Sequence, residues 1–105
     1  MIVELNIPSI DVIKNETERI HAFKVKADIK KFFSKIPDAI KEAIQNNRHF
    51  AIISGELDNL EINPDHEDTI DTLKHLETKG FKIEIWLYDN TSRLRGMIKN
   101  IKLEW

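Results

Sequence analysis

Residues 49–89 read HFAIISGELDNLEINPDHEDTIDTLKHLETKGFKIEIWLYD, and the periodicities in that stretch decide the fold class. Phe50-Ala51-Ile52-Ile53-Ser54 is a short apolar run rich in β-branched side chains, which is the pattern of a buried strand. From Asp65 to Lys79, Ile70, Leu73 and Leu76 fall on one side of a helix, and Gly80 stops it. Phe81 to Tyr88 then alternates strictly, as a strand does. Strand, helix and strand in that order predict a parallel βαβ unit with a right-handed crossover. The expected fold is α/β: a small mixed sheet with a parallel βαβ core and helices packed on it.

The chain has 105 residues, 41% hydrophobic and 32% charged, which suits one globular domain over residues 1–105. No apolar run approaches the roughly 18 to 20 residues of a membrane span. Met1-Ile2-Val3-Glu4-Leu5 lacks a basic start and a small-residue cleavage site, so no signal peptide is expected. Cysteine is absent, which excludes disulfides, thiol catalysis, thiolate zinc sites and iron–sulfur clusters and fits a cytoplasmic address. The net charge of −2 hides an uneven layout. Arg19 to Arg48 holds eight Lys/Arg against three Asp/Glu, whereas Glu56 to Lys79 holds two against eight. Such asymmetry can orient a charged partner, although solvated helix faces of opposite sign give the same pattern.

Outside the central stretch, Met1, Val3, Leu5 and Ile7 alternate with polar residues and predict a strand ended by Pro8. Ser9 to Glu18 is mostly polar and reads as a loop with Ile10, Val12 and Ile13 as anchors. His21, Phe23 and Val25 alternate and read as a strand over Ile20–Lys26. Asp28 has the chemistry of a helix N-cap, with Ile29, Phe32, Phe33 and Ile36 following at i, i+3, i+4 and i+7. Pro37 makes Asp28–Asn47 either one kinked helix or two short ones. Leu57, Leu60 and Ile62 are expected to tuck under the sheet edge. After Asp89-Asn90-Thr91-Ser92, two readings compete. Leu94, Met97, Ile98 and Ile101 have helical spacing, which favours a helix from Ser92 to about Lys102. Ile101, Leu103 and Trp105 alternate, which makes a hairpin with the Phe81 strand the competitor; the helix is the expectation.

Few motifs carry chemistry. Ser54-Gly55-Glu56 follows a strand but lacks the further glycines and the Lys–Ser/Thr pair of a phosphate-binding loop. Asp71 and His75 lie four apart and share a helix face, so they could form an acid–base pair or hold part of a metal site. A zinc site needs three or four converging ligands, and His66 and His75 point to opposite sides of one helix. Lys24, Lys26, Lys30, Lys31, Lys35, Arg93, Arg95, Lys99 and Lys102 could make a basic surface, with Trp86 and Tyr88 stacking on bases. The slightly acidic balance and the lack of a binding motif argue against nucleic acid. Trp86, if uncovered, would mark a contact surface.

From Ile20 to Lys102 the order strand, helix, strand, helix, strand, helix resembles the STAS domain, the fold of anti-sigma-factor antagonists. Phe23 and Val25, the helix from Ile29 to Ile44, the run Phe50 to Asn63, the helix ending in Lys79-Gly80, the strand Lys82 to Leu87 and a last helix with Leu94, Ile98 and Ile101 carry the likeness. The resemblance implies a regulatory switch at a Ser or Thr where the helix after the central strand begins. Here that place is Asn63-Pro64-Asp65-His66, without a hydroxyl; Thr69 lies further in, and Asp65 would imitate a fixed negative charge.

The function expected from these residues is a non-catalytic, regulatory module that binds a protein partner with a basic surface. Its contact surface is Asn63, Asp65, His66, Glu67, Asp68 and Asp71, where acids gather at a helix N-terminus beside a loop. An immunity-type inhibitor masking a basic enzyme is a variant of this reading. The rivals are a small enzyme or metal-binding protein using Asp71 and His75, and a weak nucleic-acid binder. No cofactor and no membrane association are expected.

Overall fold

Between Ser9 and Ile36 the chain contains neither glycine nor proline, and in the computed structural model, which describes residues 8–105, this run is helical almost throughout. Helix α1 spans Ile10–Phe33, 24 residues. The Ser9 hydroxyl caps it by accepting from the Val12 N–H at 3.4 Å. The loop expected over Ser9–Glu18 and the strand expected over Ile20–Lys26 are therefore both helix. Three alternating residues are too few to set a period, and an uninterrupted run of permissive residues with i,i+3 and i,i+4 ion pairs (Glu16–Arg19, Lys24–Asp28) favours the helix. Asp28 is mid-helix rather than a cap. The strand expected over Met1–Ile7 lies outside the described residues.

The chain breaks at Ser34-Lys35, and α2 runs Ile36–Gln45 with Pro37 in its first turn, where the missing N–H costs nothing. Asn47 adopts a left-handed φ of 57° and turns the chain into β1, Phe50–Ser54. A long connection leads to α3, Glu67–Thr78, which ends before Gly80 at φ 99°. Strand β2, Lys82–Leu87, and strand β3, Ile98–Glu104, complete the fold.

The sheet order is β1-β3-β2, and both pairings are antiparallel. The expected parallel βαβ core is therefore not formed. Strands β1 and β2 do run the same way, as each is antiparallel to β3, but β3 sits between them and takes their hydrogen bonds. The helix expected from Ser92 to Lys102 is the cause of the error: its second half is strand β3. Gly96 at φ 79° closes a hairpin in which the Tyr88 N–H donates to the Met97 carbonyl at 2.9 Å. Ile101 and Leu103 then face inward, paired with Ile53 and Ala51 on one side and Ile85 and Ile83 on the other.

The core lies between this sheet face and the helices. Phe32, Ile53, Ile62, Ile98, Ile101 and Leu103 are fully buried in it. Leu60 and Ile62 tuck in as expected, whereas Leu57 is wholly exposed. The Ile98 N–H donates to the Ile62 carbonyl at 2.8 Å, pinning the β1–α3 connection beside the start of β3. From Pro8 to Lys24 every residue of the chain is exposed, so only the C-terminal part of α1 packs on the body. The molecule is correspondingly long, 74 × 28 × 24 Å.

Candidate functional site

Asn63 follows the pinned Ile62, which places the acidic run at the end of the sheet where β1 and β2 finish and β3 begins. Two of the six expected contact residues hold the backbone there. The Asn63 Oδ1 accepts from the Asp65 N–H at 2.9 Å, forming a turn ahead of the helix. His66 is the N-cap of α3, its Nδ1 accepting from the Asp68 N–H at 3.0 Å. Asp65, Glu67, Asp68 and Asp71 are all exposed. Their negative charge stands beside the partial positive end of α3, which stabilises the helix.

Among the described residues none of these four acids has a cation within ion-pair distance. Four acids elsewhere do: Glu16 is held by Arg19, Asp28 by Lys24 at 2.8 Å, Glu56 by Lys99 at 3.4 Å, and Asp58 by Lys35 at 2.7 Å and Lys31 at 3.8 Å. Most other acids of the described residues, Asp38 and Glu42 of α2 among them, are also without an ion pair; what sets the run apart is four exposed acids between positions 65 and 71. The field of the acidic run is therefore uncompensated locally and available to a basic partner.

Asp71 and His75 are both exposed on α3, and no hydrogen bond joins them, so nothing orients the pair for proton transfer. Among the described residues no three His, Asp or Glu side chains converge as metal ligands would. Carboxyls are perturbed in two other places, by structural contacts. The hydrogen bond from Lys35, with the charges of Lys31 and Lys35, holds Asp58 below the usual carboxylate range. Hydrogen bonds from the Thr91 hydroxyl and N–H do the same for Asp89. Ser92 does not cap a helix; its hydroxyl accepts from the Leu94 N–H at 3.1 Å within the hairpin turn.

Several cations of the expected basic surface are engaged. Lys24, Lys31, Lys35 and Lys99 are ion-paired, and the Lys102 ammonium lies 5.0 Å from the centre of the Phe50 ring. Thr69, the hydroxyl nearest the position of the implied switch, is fully buried, and its Oγ1 has no hydrogen-bond partner.

The outer face of the sheet is a second surface, glimpsed in the sequence only through Trp86. Ile52 is 52% exposed and Trp86 38%, and with Leu87, Lys99 and Asn100 they line one open groove. A bulge between Trp86 and Leu87 breaks the alternation there, which is why the period-two reading did not place Leu87 in the groove. No helix of the described residues is long and apolar enough to cross a membrane. No family model matches the chain, and neither a curated protein nor a solved structure matches it.

Proposed function

We propose that this chain is a non-catalytic, regulatory module that binds a basic protein partner through the acidic surface at the start of α3. The observation that carries it is the uncompensated cluster of Asp65, Glu67, Asp68 and Asp71, held in place by backbone bonds from Asn63 and His66. Exposed charges of one sign raise the rate of encounter with an oppositely charged surface and disfavour partners of like charge. The likeness to anti-sigma-factor antagonists belongs to this proposal. It rests only on the order β1, α3, β2 and the connection after β1, since β1 and β2 are not paired with each other and Ile20–Lys26 and Ser92–Lys102 do not carry the elements that the likeness expects. In that reading Asp65 supplies a permanent negative charge where a phosphorylated hydroxyl would stand.

A second reading is favoured by the groove around Trp86, because tryptophan is enriched among the side chains that carry most binding energy at interfaces. A pull-down from the source cell separates the two. Wild-type bait is compared with Asp65→Lys/Glu67→Lys/Asp68→Lys and with Trp86→Ala. The acidic reading expects a basic partner that is lost with the triple reversal and kept with Trp86→Ala. The opposite result assigns binding to the sheet face, and a partner kept by both baits refutes both surfaces.

A further inference from the structure

Helix α1 has two apolar faces, and among the described residues only one is packed against the body. Val25, Ile29 and Phe32 lie against the core. At 100° per residue, Ile13, Ile20, Phe23 and Ala27 fall roughly opposite, along the exposed part of the helix. Ile20 is 59% and Phe23 76% exposed. Shallow apolar grooves run along this face, one lined by Arg19, Ile20 and Phe23 and the next by Phe23, Lys26, Ala27 and Lys30. A helical segment of this length without tertiary contacts among the described residues is marginal in water, and its apolar stripe is the surface that would hold it.

We propose that this face is covered by α1 of a second copy of the chain, in an antiparallel helix pair crossing between Ile20 and Phe23. The stripe is a heptad seam with Ile13, Ile20 and Ala27 at one core position and Glu16, Phe23 and Lys30 at the other. Charge decides the direction. A parallel pair stacks Glu16 on Glu16 and Lys30 on Lys30, like charge on like. An antiparallel pair packs Ile20 on the partner's Phe23 and the reverse, and brings Glu16 within one turn of the partner's Lys30. Lys30 has no ion-pair partner among the described residues, so its charge is free for that contact, and Glu16, paired with Arg19 on its own helix at an exposed position, would share its carboxylate between the two cations. The two halves of α1 are complementary in the same sense. Ile10–Ile20 carries Asp11, Glu16 and Glu18 against Lys14 and Arg19, whereas His21–Phe33 carries four lysines against Asp28.

The test is sedimentation equilibrium of the full chain over a range of concentrations at low salt. Wild type is expected to be a dimer that dissociates on dilution, and Ile20→Asp to be a monomer with a far-UV spectrum that still shows the folded body. Glu16→Lys and Lys30→Glu are each expected to weaken the dimer by about tenfold, as like charges meet across the seam, and the double variant to recover most of that loss. These substitutions sit on exposed positions, so the body stays folded. A wild type that is monomeric at every concentration overturns the proposal. So does a dimer indifferent to Ile20→Asp, or a charge-swapped double variant no better than its singles.

Discussion

Thr69→Val tests the packing beneath the acidic surface. Thr69 is the third residue of α3; it is fully buried, and its hydroxyl oxygen has no partner. Burying an unsatisfied hydroxyl costs about 1–3 kcal/mol, and valine keeps the shape while replacing the hydroxyl with a methyl group. Threonine and valine have similar helix propensities, so the backbone contributes little to the difference. The expected gain is about 1 kcal/mol, which for a domain of this size raises the melting midpoint by about 4 °C. Thr69→Ser, which keeps the hydroxyl and removes the methyl, should lose about 0.8 kcal/mol. Urea unfolding followed by circular dichroism at 222 nm, at one fixed chain concentration, measures both. A Thr69→Val variant less stable than wild type would show that the hydroxyl is hydrogen-bonded and refute the reasoning. The same burial bears on regulation: a kinase could reach Thr69 only after α3 leaves the sheet, so phosphorylation there should require local unfolding.

Three further outcomes follow from contacts elsewhere in the body. A Cβ on Gly55 would sit 3.1 Å from the Leu60 Cβ and 3.3 Å from the Phe32 Cδ2, so Gly55→Ala should destabilise by about 1–3 kcal/mol in the same urea assay. The Asp28 carboxylate is bonded to both Lys24 Nζ and the Glu61 N–H, tying α1 to the β1–α3 connection; Asp28→Ala should cost about 1–2 kcal/mol and speed amide exchange at Glu61. Lys35 and Lys31 hold the pKa of Asp58 below 3.8, so its contribution is present above that pH and lost as the pH falls through the lowered folded value. The difference in urea midpoint between wild type and Asp58→Asn should shrink below pH 3.8, and a difference independent of pH would exclude the ion pairs as its source.

Local signals carried β1, α3 and β2, because each has its own period and its own stop: the Phe50–Ser54 run, the Ile70/Leu73/Leu76 stripe ended by Gly80, and the alternation after Phe81. They did not carry strand pairing. Whether β1 and β2 touch depends on what lies between them, and that is a property of residues 98–104, far along the chain. The tail was ambiguous for a physical reason. Ile101 belongs both to the helical spacing with Leu94, Met97 and Ile98 and to the alternation with Leu103 and Trp105, and Gly96 decides between them only through its positive φ. The N-terminal third misled because α1 is amphipathic twice, with core residues on one side near its end and exposed apolar residues on the other side nearer its start. Summed over the helix the two stripes cancel, and no single helical face stands out. In the acidic run, residue types pointed to the place, but the division of labour did not show: Asn63 and His66 build the turn, while Asp65, Glu67, Asp68 and Asp71 project the charge.

Pairing through α1 would set the geometry in which the α3 acids are presented. A helix of 24 residues is about 36 Å long, and an antiparallel pair puts the two bodies at opposite ends of it. Each body then carries one acidic α3 surface, so the dimer is bivalent. A partner with repeated basic sites would be held by avidity, whereas a partner with one site would not distinguish dimer from monomer. Ile20→Asp separates these cases because it lies on α1 and leaves the α3 acids untouched. Toward the basic partner immobilised densely, the variant should release faster than wild type; toward the same partner immobilised sparsely, the two should release alike. Equal release at both densities would mean that pairing of α1 serves the stability of the helix itself, and that the acidic surface works singly.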